Sequence, residues 1–172
     1  MHTSVPSAGK LAWALAAALL LPACQPPQPA PPPPPPPVPS PGPAAREADP
    51  WLTDFEAAKA RAKAEKKRLL LDFTGSDWCP PCKALHNGVF VKPEFLDYAK
   101  DNLVLVMIDF PESKPQSETQ KRLNQELSEL FKVEGFPTVI VLDADGRELK
   151  REVGYSGESA AEYVAKLRAL NP

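Results

Sequence analysis

Two closely spaced cysteines are the residues of this chain best suited to chemistry. Cys79 and Cys82 are separated by two residues, whereas the third cysteine, Cys24, lies far from them. Thiols at this spacing can close a small disulfide ring with little backbone movement. At the start of a helix, the first thiol also meets the positive end of the helix dipole, which favours the reactive thiolate. The pair is therefore suited to thiol–disulfide exchange, in which one thiol attacks and the other resolves the mixed disulfide.

Structural zinc sites use the same cysteine spacing, so metal binding is one alternative. His86 follows Cys82 by one helical turn and would be a third ligand, but a closed zinc site has four. The other histidine, His2, lies in a segment that we expect to be removed. We therefore predict no metal site and interpret His86 as a helix-surface residue. A second alternative is a non-catalytic module that uses its fold only to hold partners.

The third cysteine ends a segment with the features of an export signal. Lys10 precedes an uncharged run at 11–21, which as a helix would reach only about 16 Å, roughly half of a bilayer's hydrocarbon core. A short positive region followed by a short apolar core is typical of a secretory signal. The residues LPAC that end at Cys24 resemble a bacterial lipoprotein signal. We predict a signal peptide at 1–23 and a membrane anchor through lipid on Cys24; an ordinary cleaved signal is the alternative.

Residues 24–47 form a proline-rich linker. Most of the 23 prolines of the chain lie in or beside it, including seven in a row at 31–37. Proline fixes φ and lacks a backbone donor, so the linker should be polyproline II, extending about 3.1 Å per residue. We predict a stiff spacer that holds a folded domain away from the membrane. A ligand for a proline-binding module is the alternative.

The remaining residues, 48–172, have the pattern of one α/β domain that could position the dithiol. Apolar runs predict strands at 69–73, 103–109, 137–142 and 147–153. Helices are predicted at 53–67, from the dithiol onward, at 118–131 and after Ser156. This order of elements predicts one central sheet with helices on both faces.

Three local patterns make these predictions specific. Thr53 to Glu56 has the form of a capping box that begins the first helix. Ser156 is predicted to cap the last helix, and 143–146 is predicted to be a hairpin turn rather than a calcium loop. The third helix is predicted to turn an apolar stripe toward the core, made of Leu123, Leu127 and Leu130.

Two motifs together resemble the thioredoxin superfamily. Residues 72–83 read DFTGSDWCPPCK, and residues 133–138 read VEGFPT about fifty residues later. The resemblance covers about residues 51–170 and is greatest to bacterial extracytoplasmic members, including the C-terminal domain of the transmembrane thiol:disulfide interchange reductase. It implies a thioredoxin-like fold with a mixed sheet and a redox-active Cys79–Cys82 disulfide in place of any bound cofactor.

The resemblance also implies roles for single residues. Cys79 would be the exposed nucleophile and Cys82 the buried resolving thiol. Asp72 would be a buried acid that accepts the proton of Cys82 through water, and an apolar surrounding would raise its pKa.

Substrate contacts are expected from both motifs. Trp78 would pack beside the dithiol, and Pro80 and Pro81 would face the substrate. Pro137 would be a cis-proline facing the dithiol, and the backbone of Phe136 would pair with an extended substrate segment.

Four features depart from the cytoplasmic thioredoxin pattern. The segment between Asp72 and Cys79 is one residue longer, and the lysine that partners the acid is not evident in the strand at 103–108. Pro80 replaces the usual glycine, which should change the redox potential. The loop at 110–117 is enlarged and is expected to shape the choice of partner.

These observations predict an extracytoplasmic, lipid-anchored reductase of protein disulfides. A membrane redox partner would supply its electrons, and a disulfide oxidase or isomerase is the alternative. If the host has two membranes, Gln25 after the lipidated cysteine favours the outer one. The net charge of −2, without a long basic block, argues against a nucleic-acid partner.

Overall fold

The computed structural model describes residues 50–170, so the predicted signal peptide, the linker and Cys24 lie outside the described residues. In this part of the chain, strands alternate with helices. The strands are β1 (Trp51–Leu52), β2 (Arg68–Thr74), β3 (Leu103–Asp109), β4 (Thr138–Leu142) and β5 (Glu148–Val153). The helices are α1 (Phe55–Glu65), α2 (Pro80–Leu85), α3 (Pro93–Asn102), α4 (Glu118–Leu130) and α5 (Ala160–Arg168). A π-helical segment, His86–Phe90, continues α2.

The strands form one mixed sheet in the order β1-β3-β2-β4-β5. Strand β3 runs parallel to β1 and β2, whereas β4 is antiparallel to both β2 and β5. The central strand β2 ends at Thr74, and the dithiol follows within a few residues. The cysteines are therefore presented at the carboxyl end of the middle strand.

Apolar side chains cover both faces of this sheet. Leu71 and Phe73 of β2 belong to a cluster with Ala58 and Ala62 of α1. Leu70 of β2 belongs to a second cluster, with residues of α2, α3 and α5. Because side chains alternate along a strand, the two clusters lie on opposite faces of the sheet. The predicted α/β fold, with helices on both faces of a mixed sheet, is confirmed.

Two predicted helix caps were wrong by one to three residues. Asp54, not Thr53, caps α1, because its extended backbone lets its Oδ1 accept the N–H of Ala57 at 3.0 Å. Ser159, not Ser156, caps α5 through a reciprocal capping box with Glu162. The hydroxyl of Ser156 instead donates to the carboxylate of Glu158 at 2.7 Å.

The apolar stripe predicted for α4 was largely wrong. Leu123 and Leu130 are 43% and 67% exposed, and only Leu127 packs against the core. The fully covered residue of this helix is Asn124. Its amide donates to the carbonyl oxygen of Asp109 at 2.7 Å, so a hydrogen bond to the end of β3 fixes the rotation of the helix.

Strand β1 and helix α3 were not predicted. Strand β1 has only two residues, too few to show an alternation of apolar and polar side chains. Helix α3 begins at Pro93, and the preceding residue, Lys92, has an extended backbone. The turn at 143–146 was predicted correctly: it joins the antiparallel strands β4 and β5. Among residues 50–170, no helix combines the length and apolar character needed to cross a bilayer.

Candidate active site

The two cysteines are joined by a disulfide at the beginning of α2. Cys79 is the N-cap residue, and its sulfur accepts the backbone N–H of Cys82 at 3.3 Å. Pro80 and Pro81 occupy the first helical turn, where a missing N–H breaks no hydrogen bond of the helix. The sequence prediction of a helix that starts at the dithiol is confirmed.

The predicted exposure of Cys79 is wrong for this disulfide form. Both cysteine residues are only 3% exposed, because the sulfur of Cys79 is bonded inward to that of Cys82. The surface at this point is provided by Pro80 and Pro81, both exposed, and by Trp78, which is 40% exposed. These three exposed side chains are the ones next to the dithiol that the sequence predicts to contact substrate.

The ring of Trp78 is held against the turn that precedes the dithiol. Its indole N–H donates to the carbonyl oxygen of Phe110 at 2.7 Å. A Cβ atom at position 75 would overlap the indole ring, so Gly75 is required by close approach rather than by its backbone angles. The turn before the dithiol thus packs closely against a fixed tryptophan.

The loop before β4 lies next to this tryptophan. The peptide bond between Phe136 and Pro137 is cis, as predicted. The ring of Phe136 meets that of Trp78 edge-on, with centroids 6.0 Å apart. Phe110 stacks on the other side of Phe136, with centroids 5.1 Å apart. The structure therefore brings the two sequence motifs together and adds Phe110, which sequence reasoning missed.

Asp72 is buried in the middle strand, on the side of the sheet that faces the dithiol helix. It is 3% exposed, and its Oδ1 has no hydrogen-bond partner among the described residues. Burial, and secondarily the charge of Asp109, raise the pKa of Asp72 to about 7. The alternative of a strand-end residue that reaches solvent is excluded.

A cavity of about 400 Å³ connects Asp72 with the resolving thiol position. Its walls include Asp72, Cys82, Met107 and Asp109. Its basic residues are Lys83, His86 and Lys114. A volume of this size has room for several waters, which is what proton transfer between Cys82 and Asp72 requires.

Neighbouring strands determine the electrostatics around Asp72. Its register partners are Met107 on β3 and Val139 on β4, so no lysine stands beside it on either strand. Asp109 ends β3, and its carboxylate accepts the backbone N–H and the hydroxyl of Ser76, at 2.9 and 2.6 Å. Sequence reasoning missed Asp109, although an acid at the end of a parallel strand next to β2 was a usable signal.

His86 lines the same cavity as Cys82, but the metal alternative gains no support from its position. Within residues 50–170, no three His, Cys, Asp or Glu side chains are grouped as metal ligands would be.

Comparisons with known proteins agree with this geometry. A family model described as a thioredoxin-like domain matches residues 55–171. The disulfide bond reductase DsbH of Chlamydia pneumoniae is 36% identical over 115 residues, which are 67% of this chain and 69% of that protein. The thiol:disulfide interchange protein DsbD of Pseudoalteromonas atlantica is 31% identical over 117 residues, 67% of this chain but only 18% of DsbD. A solved DsbH oxidoreductase has a TM-score of 0.65 and 35% identity, covering 70% of this chain and 82% of that one.

A CxxC disulfide that begins a helix, beside a cis-proline loop and a buried acid, defines a thiol–disulfide oxidoreductase. Within that class, this chain belongs to the thioredoxin-like family.

Proposed function

We propose that the chain is an extracytoplasmic reductase of protein disulfides. The single observation that carries this proposal is the cavity shared by Cys82 and the unpaired carboxyl of Asp72. A reductase must deprotonate its second thiol at neutral pH, and a base with a pKa of about 7 is matched to that step. The same carboxyl would serve exchange in either direction, and the similarity to a protein named a disulfide bond reductase supports reduction.

The reaction has two exchange steps that together transfer two electrons to the substrate. In the first step, the Cys79 thiolate attacks a substrate disulfide, a mixed disulfide forms, and one substrate thiolate leaves. In the second step, Cys82 passes its proton through water to Asp72 and attacks the sulfur of Cys79. The second substrate thiolate leaves, and the Cys79–Cys82 disulfide remains.

The disulfide must then be reduced by a second dithiol. Because the consumed electrons have to be replaced, we propose a membrane dithiol protein as the donor. The exposed Trp78, Pro80 and Pro81 would contact both partners, since they are the exposed residues next to the two buried sulfurs.

Location is the second part of the proposal. The apolar run that ends at Cys24 supports export and lipidation, and the proline-rich linker would hold the catalytic domain away from the membrane. Gln25 supports the outer membrane in a host with two membranes. Mass spectrometry of the mature N-terminus should find an acylated Cys24; an intact terminus, or cleavage elsewhere, would contradict this.

The catalytic part is tested with single cysteine variants and a protein disulfide substrate such as insulin. Cys79→Ser should abolish reduction, and Cys82→Ser should accumulate a mixed disulfide with substrate. Cys24→Ser is the matched control and should keep the turnover of the purified protein unchanged. Turnover that persists in Cys79→Ser would reject catalysis by this dithiol.

The direction is tested by the equilibrium potential of the Cys79–Cys82 couple against glutathione. A reductase should have a potential near that of thioredoxin, about −270 mV. A potential near −120 mV, where strong oxidants lie, would favour the oxidase alternative.

A further inference from the structure

The enlarged loop at 110–117 is fastened to the turn before the dithiol by one side chain, Asp77. Oδ1 of Asp77 accepts the backbone N–H of Glu112 at 3.0 Å. Oδ2 accepts the N–H groups of Ser113 and Lys114 at 2.7 and 3.1 Å. We call this set of three hydrogen bonds the Asp77 clamp.

Further contacts tie the same two segments together. The N–H of Phe110 donates to the carbonyl oxygen of Thr74 at 2.9 Å, and its carbonyl accepts the indole N–H of Trp78. Lys114 Nζ donates to the hydroxyl of Ser76 at 3.0 Å. The loop has no regular secondary structure, so these contacts to the turn, with the clamp at their centre, are what fix its path.

One aromatic ring lies at the start of the clamped loop. Phe110 begins the clamped loop, and its ring stacks on that of Phe136, the residue before the cis-proline. Phe136 in turn contacts Trp78, the residue before Cys79. The three rings form a continuous apolar surface beside the dithiol, which we call the aromatic platform.

The position of the platform indicates what it contacts. We expect a polypeptide that delivers a disulfide to Cys79 to contact Trp78 and Phe136, because Trp78 is exposed directly before Cys79 and its ring contacts that of Phe136. A small disulfide needs only access to the sulfur. Phe110 widens the apolar surface, and it is held there by its own backbone hydrogen bonds to Thr74 and Trp78 together with the clamped loop that follows it.

We propose that Asp77 is a positioning residue for substrate specificity: by clamping the loop it places Phe110 in the platform, which selects extended polypeptides with an aromatic or aliphatic side chain next to the reacting cysteine. This inference rests on the proposed function and assigns a partner chemistry to the same site. Asp77 contacts none of the reacting atoms.

The test compares a protein disulfide with a small one, using the purified full chain. For Asp77→Ala, kcat/KM for insulin reduction should fall about tenfold, mainly through a higher KM, since apolar contacts of this kind contribute at that scale to binding. Reduction of a small aliphatic disulfide, 2-hydroxyethyl disulfide, should change less than twofold, and the dithiol potential should stay the same. Hydrogen exchange at the amides of Glu112, Ser113 and Lys114 should become faster.

Two further variants keep the test decisive. Glu112→Gln removes one negative charge from the same loop but leaves its backbone N–H in the clamp, so it should behave like the wild type. Phe110→Ala keeps the clamp and removes only the ring; it should reproduce the loss on insulin with normal amide exchange, and it replaces Asp77→Ala if that variant does not fold.

Equal losses on both substrates, or a shifted potential, would overturn the proposal, because Asp77 would then act on the dithiol itself. Unchanged insulin kinetics in both Asp77→Ala and Phe110→Ala would overturn it as well. Failure of the wild type to reduce either disulfide would instead reject the proposed function on which this inference rests.

Discussion

At the scale of single residues, the burial of Asp72 costs stability when the carboxyl is ionised, and it also suits the proposed role of this residue in proton transfer. A carboxylate without a hydrogen-bond partner in an apolar strand is expensive to keep charged, so the protein holds it protonated up to an unusually high pH. In the proposed mechanism, the same property suits Asp72 to accept the Cys82 proton at neutral pH. The buried carboxyl that the proposed mechanism uses thus lowers the free energy of unfolding at high pH, and this loss can be measured.

Replacing Asp72 by Asn should therefore stabilise the protein at alkaline pH. The pKa of Asp72 is about 7 in the folded protein and 3.8 in the reference state. Between these values the folded protein keeps the proton and the unfolded chain has released it, so the free energy of unfolding decreases as pH rises through this window. Asp72→Asn should gain about 4 kcal/mol at pH 8 and nothing below pH 4, as an order of magnitude.

Urea denaturation of the oxidised protein at several pH values measures this difference. Asp145→Asn, an exposed change in the β4–β5 turn, is the control and should follow the wild type at each pH. Parallel pH profiles for the wild type and Asp72→Asn would show that Asp72 is ionised in both states.

Asp109 provides a second prediction at this scale. Burial is the main cause of the raised pKa of Asp72, and the charge of Asp109 adds to it. Asp109→Asn should therefore lower the pKa of Asp72 without returning it to the ordinary value. A carbon-13 NMR titration of the Asp72 carboxyl follows this directly, and an unchanged or higher midpoint would refute it.

How much of the site could be predicted from the sequence depends on how many positions separate the residues that contact each other. Cys79, Cys82, Trp78 and Asp72 lie within one motif, and their approximate arrangement could be inferred from it. The contacts of Asp109 with Ser76 and of Asp77 with the loop join residues 33 or more positions apart. They depend on the pairing of β2 with β3, which spacing along the chain does not reveal.

At the scale of elements, α4 shows how a polar contact can override an apolar pattern. Three leucines at helical spacing predicted the buried face, yet Asn124 occupies it. Its amide donates to the Asp109 carbonyl, and its oxygen accepts from Gln120 at 2.8 Å. A periodicity argument counts apolar residues and cannot recognise a buried amide that donates to the end of a distant strand.

A substitution of Asn124 should therefore destabilise the protein more than a substitution of Leu130, although the leucine pattern in the sequence suggests the opposite. Asn124→Ala removes one of the two side-chain donors to the Asp109 carbonyl, Gln116 being the other, and should lower the free energy of unfolding by about 1 kcal/mol. Leu130→Ala, at a 67% exposed position, should change it by no more than about 0.5 kcal/mol. Chemical denaturation of both variants makes the comparison, and a greater loss for Leu130→Ala would restore the leucine stripe as the buried face.

At the scale of the whole molecule, the folded domain begins before its family motif does. The family match starts at residue 55, but β1 already pairs with β3 through Trp51 and Leu52. Trp51 is 9% exposed, and its ring lies 5.0 Å from that of Phe90, in the π-helical segment that continues the dithiol helix. Two short segments from distant parts of the chain thus complete one face of the core.

This arrangement predicts that the N-terminal edge strand is needed for global stability. Trp51→Ala should lower the free energy of unfolding by about 3–5 kcal/mol, because it removes a large aromatic side chain from a packed cluster. Trp51→Phe retains a ring against Phe90 and should lose clearly less. Denaturation monitored by far-ultraviolet circular dichroism avoids reliance on the fluorescence of the residue that is replaced. A loss below about 1 kcal/mol in Trp51→Ala would place the start of the cooperative domain at α1, since surface changes have effects of at most this size.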